Sequence, residues 1–289
     1  MFGLTPEELA LFGSLNTPEK IYDFIVGIPN NFEDDGIDTC RSPRQVLKVN
    51  KCHCIEAAIL AAAMLRVNGY PPLILDLTAT PDDFDHVITV YQKEGKWGAI
   101  SKANHYSLRY REPVYESIRE LAMSYFHEYF NASGKKTLRS YSDPVDLTLF
   151  DPINWMATEK ELWAIASFLD KVPHHQILTK SQIANLRDAD EIEKKASEIV
   201  EYYDYHAAIA RNLAPPFFAA SVGADKFTHS APFFALAQRE KQIPSEVSFY
   251  SKAASDKATC KGPFTAANWG YREGLIFLSP TAYGTKATK

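Results

Sequence analysis

The sequence predicts an α+β fold in which helices pack on an antiparallel sheet, and three observations carry that expectation. Helix-start signals crowd the first 60 residues. A hairpin pattern follows at 86–101. Helical periodicity then returns in a mainly helical C-terminal extension beyond residue 145.

Thr5-Pro6-Glu7-Glu8 is a capping box with proline at the first helical position, and the helix it starts stops near Gly13. Thr17-Pro18 starts a second helix, carrying Ile21, Phe24 and Ile25 on one face and ending at Gly27 and Pro29. Residues 30–41 are polar and acidic, a surface loop. Ser42-Pro43-Arg44-Gln45 opens a short third helix. A fourth follows Asn50-Lys51-Cys52-His53-Cys54-Ile55-Glu56 and runs through the apolar Ala57–Leu65 to stop at Asn68-Gly69. Because it is apolar on every face, it must be covered on most sides.

Leu73–Leu77 is a short strand. His86–Tyr91 alternates as a strand, Gln92–Lys96 turns at Gly95, and Trp97–Ser101 returns. That hairpin places His86 and Ser101 near each other. Residues 114–130 read as a helix from the spacing of Tyr115, Ile118, Leu121, Ala122, Tyr125 and Tyr129, and Lys136–Tyr141 as a last strand. Thr158-Glu159-Lys160-Glu161 is a capping box for a helix over 159–170, and a charged amphipathic helix covers 189–203. Two units follow: 1–145, and a mainly helical extension over 146–289 packed on it. The stretch 206–289 carries no functional motif. Its two Pro-Phe-Phe tripeptides, at 216–218 and 232–234, do not make a repeat.

The 289 residues, 46% hydrophobic and 23% charged, are enough for a sizeable core. A net charge of −5 offers no basic footprint for nucleic acid. Four cysteines are too few for a disulfide scaffold, and the charged, interrupted first 30 residues do not read as a signal peptide. No apolar run is long enough for a membrane span. The expected setting is reducing and cytoplasmic.

Chemistry centres on Cys54. A thiol in the first turn of a helix faces unpaired N–H groups and a partial positive charge, which ease its ionisation. Taken alone, the segment favours a small buried core cysteine over a nucleophile. His86 at the mouth of a hairpin and a polar residue at the end of its partner strand shift the balance. Cys52-His53-Cys54 also suggests zinc by ligand type, but adjacent ligands suit one tetrahedral ion poorly and no distant Cys-x-x-Cys supports them. Cys52 reads instead as a resolving thiol for Cys54. Asp82, Asp83 and Asp85 read as a solvated acidic loop, His174 and His175 as exposed at a helix end, and Arg109, Arg111 and Arg119 as surface pairing partners.

The ordered set resembles the transglutaminase-like superfamily of papain-related thiol enzymes. Cys54 is followed by Glu56 at +2 and Ala58 at +4, then the Asn68-Gly69-Tyr70-Pro71 turn, Asp85-His86-Val87 opening a strand, and Trp97 four residues before Ser101. The similarity covers about residues 17–105. Two positions depart from the pattern: Cys52 stands where the family has Gly, and Ser101 where it has Asp. The resemblance implies a transglutaminase-like or papain-like core, with Cys54 as nucleophile and His86 as base. The third role is open between Ser101, on alignment, and Asn104, on chemistry. It implies acyl transfer through a Cys54 thioester on an amide or peptide, ending in hydrolysis or in transfer to an amine, with neither cofactor nor metal. Two other readings stand beside it: a non-catalytic module that binds a protein or peptide in the same cleft, and a metal-binding module.

Overall fold

The computed structural model describes residues 1–33, 36–202, 269–272 and 275–278. They fall in two compact units, Met1–Glu201 and Tyr202–Lys289.

The first unit opens with three short helices, α1 Pro6–Ser14, α2 Pro18–Val26 and α3 Pro43–Val49, each with proline in its first turn and a Thr or Ser cap. Thr5 and Ser42 close full capping boxes with Glu8 and Gln45, so orphan N–H groups at both starts are satisfied by local side chains. Next come α4 Cys54–Val67, β1 Leu73–Thr78, β2 His86–Lys93, β3 Lys96–Ile100, β4 Arg111–Tyr115, α5 Ile118–Met123, β5 Ser140–Ser142 and β6 Val145–Asp146. The unit ends with α6 Trp163–Leu169, β7 His174–Gln176, α7 Lys180–Ala184 and α8 Glu191–Ser197. Two 3₁₀ turns, Phe126–Glu128 and Leu147–Ile153, interrupt the series.

The seven strands form one antiparallel sheet in the order β4-β3-β2-β1-β5-β7, with β6 also paired to β1. The expected α+β architecture is therefore the observed one. The β2–β3 hairpin turns on Glu94 and Gly95, both at positive φ (53° and 78°), the two-residue geometry that matches strand twist.

One hydrophobic cluster surrounds α4, where Glu56 through Leu65 are all buried, and includes Phe12, Ile21, Ile25, Val46, Ile74 and Tyr91. Each fully buried Leu or Ile there contributes about 1.5–3 kcal/mol relative to exposure. A side-chain bond ties helix to sheet: the Thr89 hydroxyl on β2 donates to the Ala58 carbonyl at 2.6 Å. A second cluster, with Leu75, Leu77, Ile88, Val90 and Ala99, is covered by Leu121, Ala122, Tyr125 and Tyr129.

Several elements differ from the sequence expectation. Residues 114–130 are not one helix: their start pairs with β3 as β4, where Pro113 is tolerated because the strand is an edge. Ser117 then restarts the chain as α5 by accepting the Glu120 N–H. The strand expected at Lys136–Tyr141 is β5, Ser140–Ser142. The helix expected over 159–170 begins only at Trp163, because residues 158–162 are tied to the 40–42 segment instead. The Cys40 N–H donates to the Glu161 carboxylate, the Leu162 N–H to the Cys40 carbonyl at 2.7 Å, and the Ser42 hydroxyl to the Thr158 carbonyl at 2.6 Å. Those bonds, with Leu162, Ile165 and Leu169 in the α4 cluster, make residues 146–201 part of the first unit, so the 145/146 boundary falls inside a compact body. The amphipathic helix expected over 189–203 is shorter, α8, capped by Asp190.

In the second unit, Trp269–Arg272 and Leu275–Leu278 pair as an antiparallel hairpin, β8 and β9, within the extension expected to be mainly helical. Trp269 and Tyr271 in one segment, and Ile276 and Phe277 in the other, are residue types that favour strand. The Pro-Phe-Phe tripeptides, His206, His229 and Cys260 lie outside the described residues. Among the described residues no helix is long and apolar enough to cross a membrane.

Candidate active site

Cys54 is the first residue of α4, as the sequence places it. The loop that delivers it is fixed before the helix begins. Asn50 ends α3 in the left-handed region (φ 55°), which asparagine tolerates. The Cys52 N–H then donates to the Pro29 carbonyl, and the Asn31 N–H to the Cys52 carbonyl, both at 3.1 Å.

The buried Glu56 carboxylate organises the helix start. One oxygen accepts from the Thr39 hydroxyl at 2.8 Å and the Arg41 N–H at 3.0 Å. The other accepts from the His53 N–H at 3.1 Å and the Asn31 amide at 3.4 Å. The residue at +2 from the cysteine thus binds the 31–41 segment to α4. That segment, expected as a surface loop, holds buried Asn31, Thr39 and Cys40.

His86 opens β2 and is buried. The 79–85 loop before it is held by the Asp85 carboxylate, which accepts the Ala79 N–H at 2.7 Å, and by Tyr129, whose hydroxyl donates to the Phe84 carbonyl. Ser101 lies one residue beyond β3. Continuing the Thr89↔Ile100 register sets 101 opposite 88, so His86 and Ser101 are diagonal neighbours on one face.

The Ser101 hydroxyl donates to the Leu108 carbonyl, so its oxygen is left to accept from His86 Nε2, 2.8 Å away. Nε2 therefore carries a hydrogen, which leaves Nδ1 as the proton-accepting nitrogen of the neutral ring; His86 is also among the groups that lower the Cys54 thiol. Leu108 stands in the left-handed region (φ 56°), a strained place for a leucine, with its N–H donating to Glu128 at 3.0 Å. Next to Ser101, buried Lys102 donates to the Ile28 carbonyl at 2.7 Å and ties the strand end to the segment after α2.

Of the two candidates for the third position, Ser101 is the one bonded to the His86 ring. Asn104 contributes its backbone carbonyl, which accepts the Glu201 N–H at 2.8 Å.

The three described cysteines are free and differ sharply. Burial pushes the Cys40 and Cys52 thiols up to about 12, with the Glu56 charge adding to the effect. Cys54 keeps partial solvent exposure. Burial acts to raise it too, but hydrogen bonds from His53 and His86 and the charge on both rings outweigh that and bring it down to about 5. Among the described thiols, Cys54 alone has its ionised form favoured near neutral pH.

His53 is the residue the sequence did not single out for this site. Its Nε2 donates to the Thr39 carbonyl at 2.9 Å, with Glu33 at 3.4 Å and Glu56 at 3.7 Å. Burial opposes its charge, but the bond to Cys54 and the nearby Glu56 prevail and raise it to about 9.

His174 and His175 are not at a helix end but on edge strand β7. His174 is half-buried, with Nδ1 donating to the Val172 carbonyl at 2.8 Å and Nε2 3.3 Å from Asp76, while exposed His175 faces Asp143 at 2.6 Å. Arg109 pairs with Glu201 at 3.0 Å and Arg111 with Glu128 at 2.7 Å. Among the described residues no group of three His, Cys, Asp or Glu side chains is placed to hold a metal ion, and this includes Cys52-His53-Cys54.

No family model and no curated protein matches this sequence.

Proposed function

We propose that the protein is a thiol-dependent acyl-transfer enzyme with a transglutaminase-like core, acting on an amide or peptide bond. What supports this reading is Cys54 on the first turn of α4, its thiol lowered by His86, together with the bond that holds His86 Nε2 to Ser101. In family order these are the nucleophile, the base and the orienting group, with a serine–carbonyl relay in place of a carboxylate.

The chemistry follows from the groups present. The Cys54 thiolate attacks the carbonyl carbon and a C–S bond forms. The C–N bond breaks as the leaving nitrogen takes a proton from the His86 imidazolium. Water or an amine then attacks the thioester, His86 takes its proton, and the thiolate leaves with an acid or a new amide as product. In this reading, unpaired backbone N–H groups at the start of α4, that of Cys54 among them, are the donors for the oxyanion. General-base action of this kind contributes about 10²–10⁴-fold.

The test is mass spectrometry after incubation with a panel of peptide amides and activated esters. An acyl adduct on the peptide containing Cys54, lost in Cys54→Ala, is the expected result. Turnover that survives in Cys54→Ala would overturn the reading.

A further inference from the structure

The carbonyl that takes the Ser101 hydrogen belongs to Leu108, which is held at φ 56°, where a leucine rarely stands. Such a backbone persists only where its surroundings fix it from several sides. One side is supplied by residues 125–128. The Leu108 N–H donates to Glu128 at 3.0 Å, and the Tyr125 hydroxyl donates to the Arg109 carbonyl at 3.0 Å.

The other side is supplied by the end of the first unit. After α8, residues 197–201 run antiparallel to the 104–106 stretch, with His105 opposite Val200. The Tyr106 N–H donates to the Ile199 carbonyl at 3.1 Å, and the Glu201 N–H to the Asn104 carbonyl at 2.8 Å. The His105 ring donates from Nδ1 to the Ser197 carbonyl at 2.7 Å. Arg109, next to Leu108, closes the arrangement: its Nη2 meets the Glu201 carboxylate at 3.0 Å, and its Nε donates to the His105 carbonyl at 2.9 Å. An isolated, half-exposed ion pair contributes little. This one stands beside two backbone bonds and a ring bond along the same stretch, so strap and loop hold each other as one piece.

We propose that residues 197–201 are a latch on the His86 relay, fastened by the positioning residues Arg109 and Glu201. With the latch closed, Leu108 keeps its left-handed backbone, its carbonyl takes the Ser101 hydrogen, and the Ser101 oxygen is left to accept from His86 Nε2. With the latch open, Leu108 relaxes to negative φ and its carbonyl turns away. The Ser101 hydroxyl then rotates and donates to Nε2, and the neutral ring carries its one hydrogen on Nδ1 instead. The latch thereby decides which ring nitrogen accepts a proton. The consequence for catalysis rests on the acyl-transfer reading; the tautomer does not.

The experiment reads that tautomer directly. The ring nitrogen shifts of His86 are recorded by NMR in the labelled full chain, on the alkaline side of its titration, for wild type, Glu201→Pro and Arg109→Met. Proline at 201 removes both the N–H bound to Asn104 and the carboxylate bound to Arg109. Methionine at 109 keeps an aliphatic stem and removes the guanidinium. Wild type should hold the Nε2–H form. In each variant the ratio of Nε2–H to Nδ1–H is expected to fall about tenfold, the effect of losing one hydrogen bond.

Urea unfolding, run alongside, identifies the folded variants. A substitution that only weakens the fold lowers the unfolding midpoint and keeps the wild-type ratio. An unmoved ratio in either folded variant therefore overturns the inference, as does a wild-type ring in the Nδ1–H form. Arg109→Met leaves the backbone bond of residue 201 in place, so it decides the question where Glu201→Pro does not fold. No substrate enters the measurement. A shifted ratio without acyl adducts on Cys54 would remove the enzymatic reading alone, and adducts with an unmoved ratio would remove only the latch.

Discussion

The Ser101 hydroxyl oxygen accepts the Nε2–H of His86 at 2.8 Å while its own hydrogen goes to the Leu108 carbonyl. A serine can therefore set an imidazole tautomer, provided a carbonyl consumes the serine's proton. Ser101→Ala removes that control and leaves Nε2–H facing a methyl group. The expected outcome is about a tenfold slower Cys54 acylation, the size of one hydrogen bond, with the alkylation midpoint of Cys54 moved much less. Pre-steady-state mass spectrometry of the acyl adduct measures it.

Glu56 offers a test of stability. Its two buried oxygens accept bonds from Thr39, Arg41, His53 and Asn31, all directed at a carboxylate. Glu56→Gln keeps the shape but points an NH₂ group at donors. A loss of about 3 kcal/mol in urea unfolding is expected, with a raised reactivity of the 31–41 segment to limited proteolysis.

The two shifted groups at the site predict opposite pH limbs. Cys54 is depressed from 9.0 to about 5, so its contribution to stability is complete above 9.0 and is lost as pH falls through 5. His53 is raised from 6.5 to about 9, so its contribution is complete below 6.5 and is lost as pH rises through 9. Melting curves across pH should show that Cys54→Ala removes part of the acid-side loss, and His53→Gln part of the loss between 6.5 and 9.

Thr89→Val tests the stitch between α4 and the sheet. It keeps the β-branched shape and removes the 2.6 Å bond to Ala58. A decrease of about 1 kcal/mol in unfolding free energy is expected.

The parts of this site governed by short-range rules were legible in the sequence. Capping chemistry marks α1 and α3, and turn chemistry marks the β2–β3 hairpin. Both are decided within a few residues, and they place Cys54 and His86. What could not be read was set by long-range bonds. Glu161 looked like the inner half of a capping box, but its carboxylate reaches Cys40, 121 residues away, and the helix starts late. His53 looked at most like a metal ligand because its partners Glu33 and Thr39 are 20 and 14 residues upstream in what read as a surface loop. The bond of Ser101 to the His86 ring also depends on the Leu108 carbonyl curling back to take the serine's proton. The contact between β4 and β3 likewise overrode a plausible helical period at 114–130.

Helix α4 has no solvent face from Glu56 to Leu65, yet it begins at a half-exposed Cys54. Its amides should therefore span nearly the full range of hydrogen-exchange protection within four turns. Those at the centre exchange only when the whole unit opens, and those of the first turn by local fraying. Cys54 thus sits at the loose end of a well-protected element. Bound substrate should register first as slowed exchange at that end, before any change is seen in the middle of the helix.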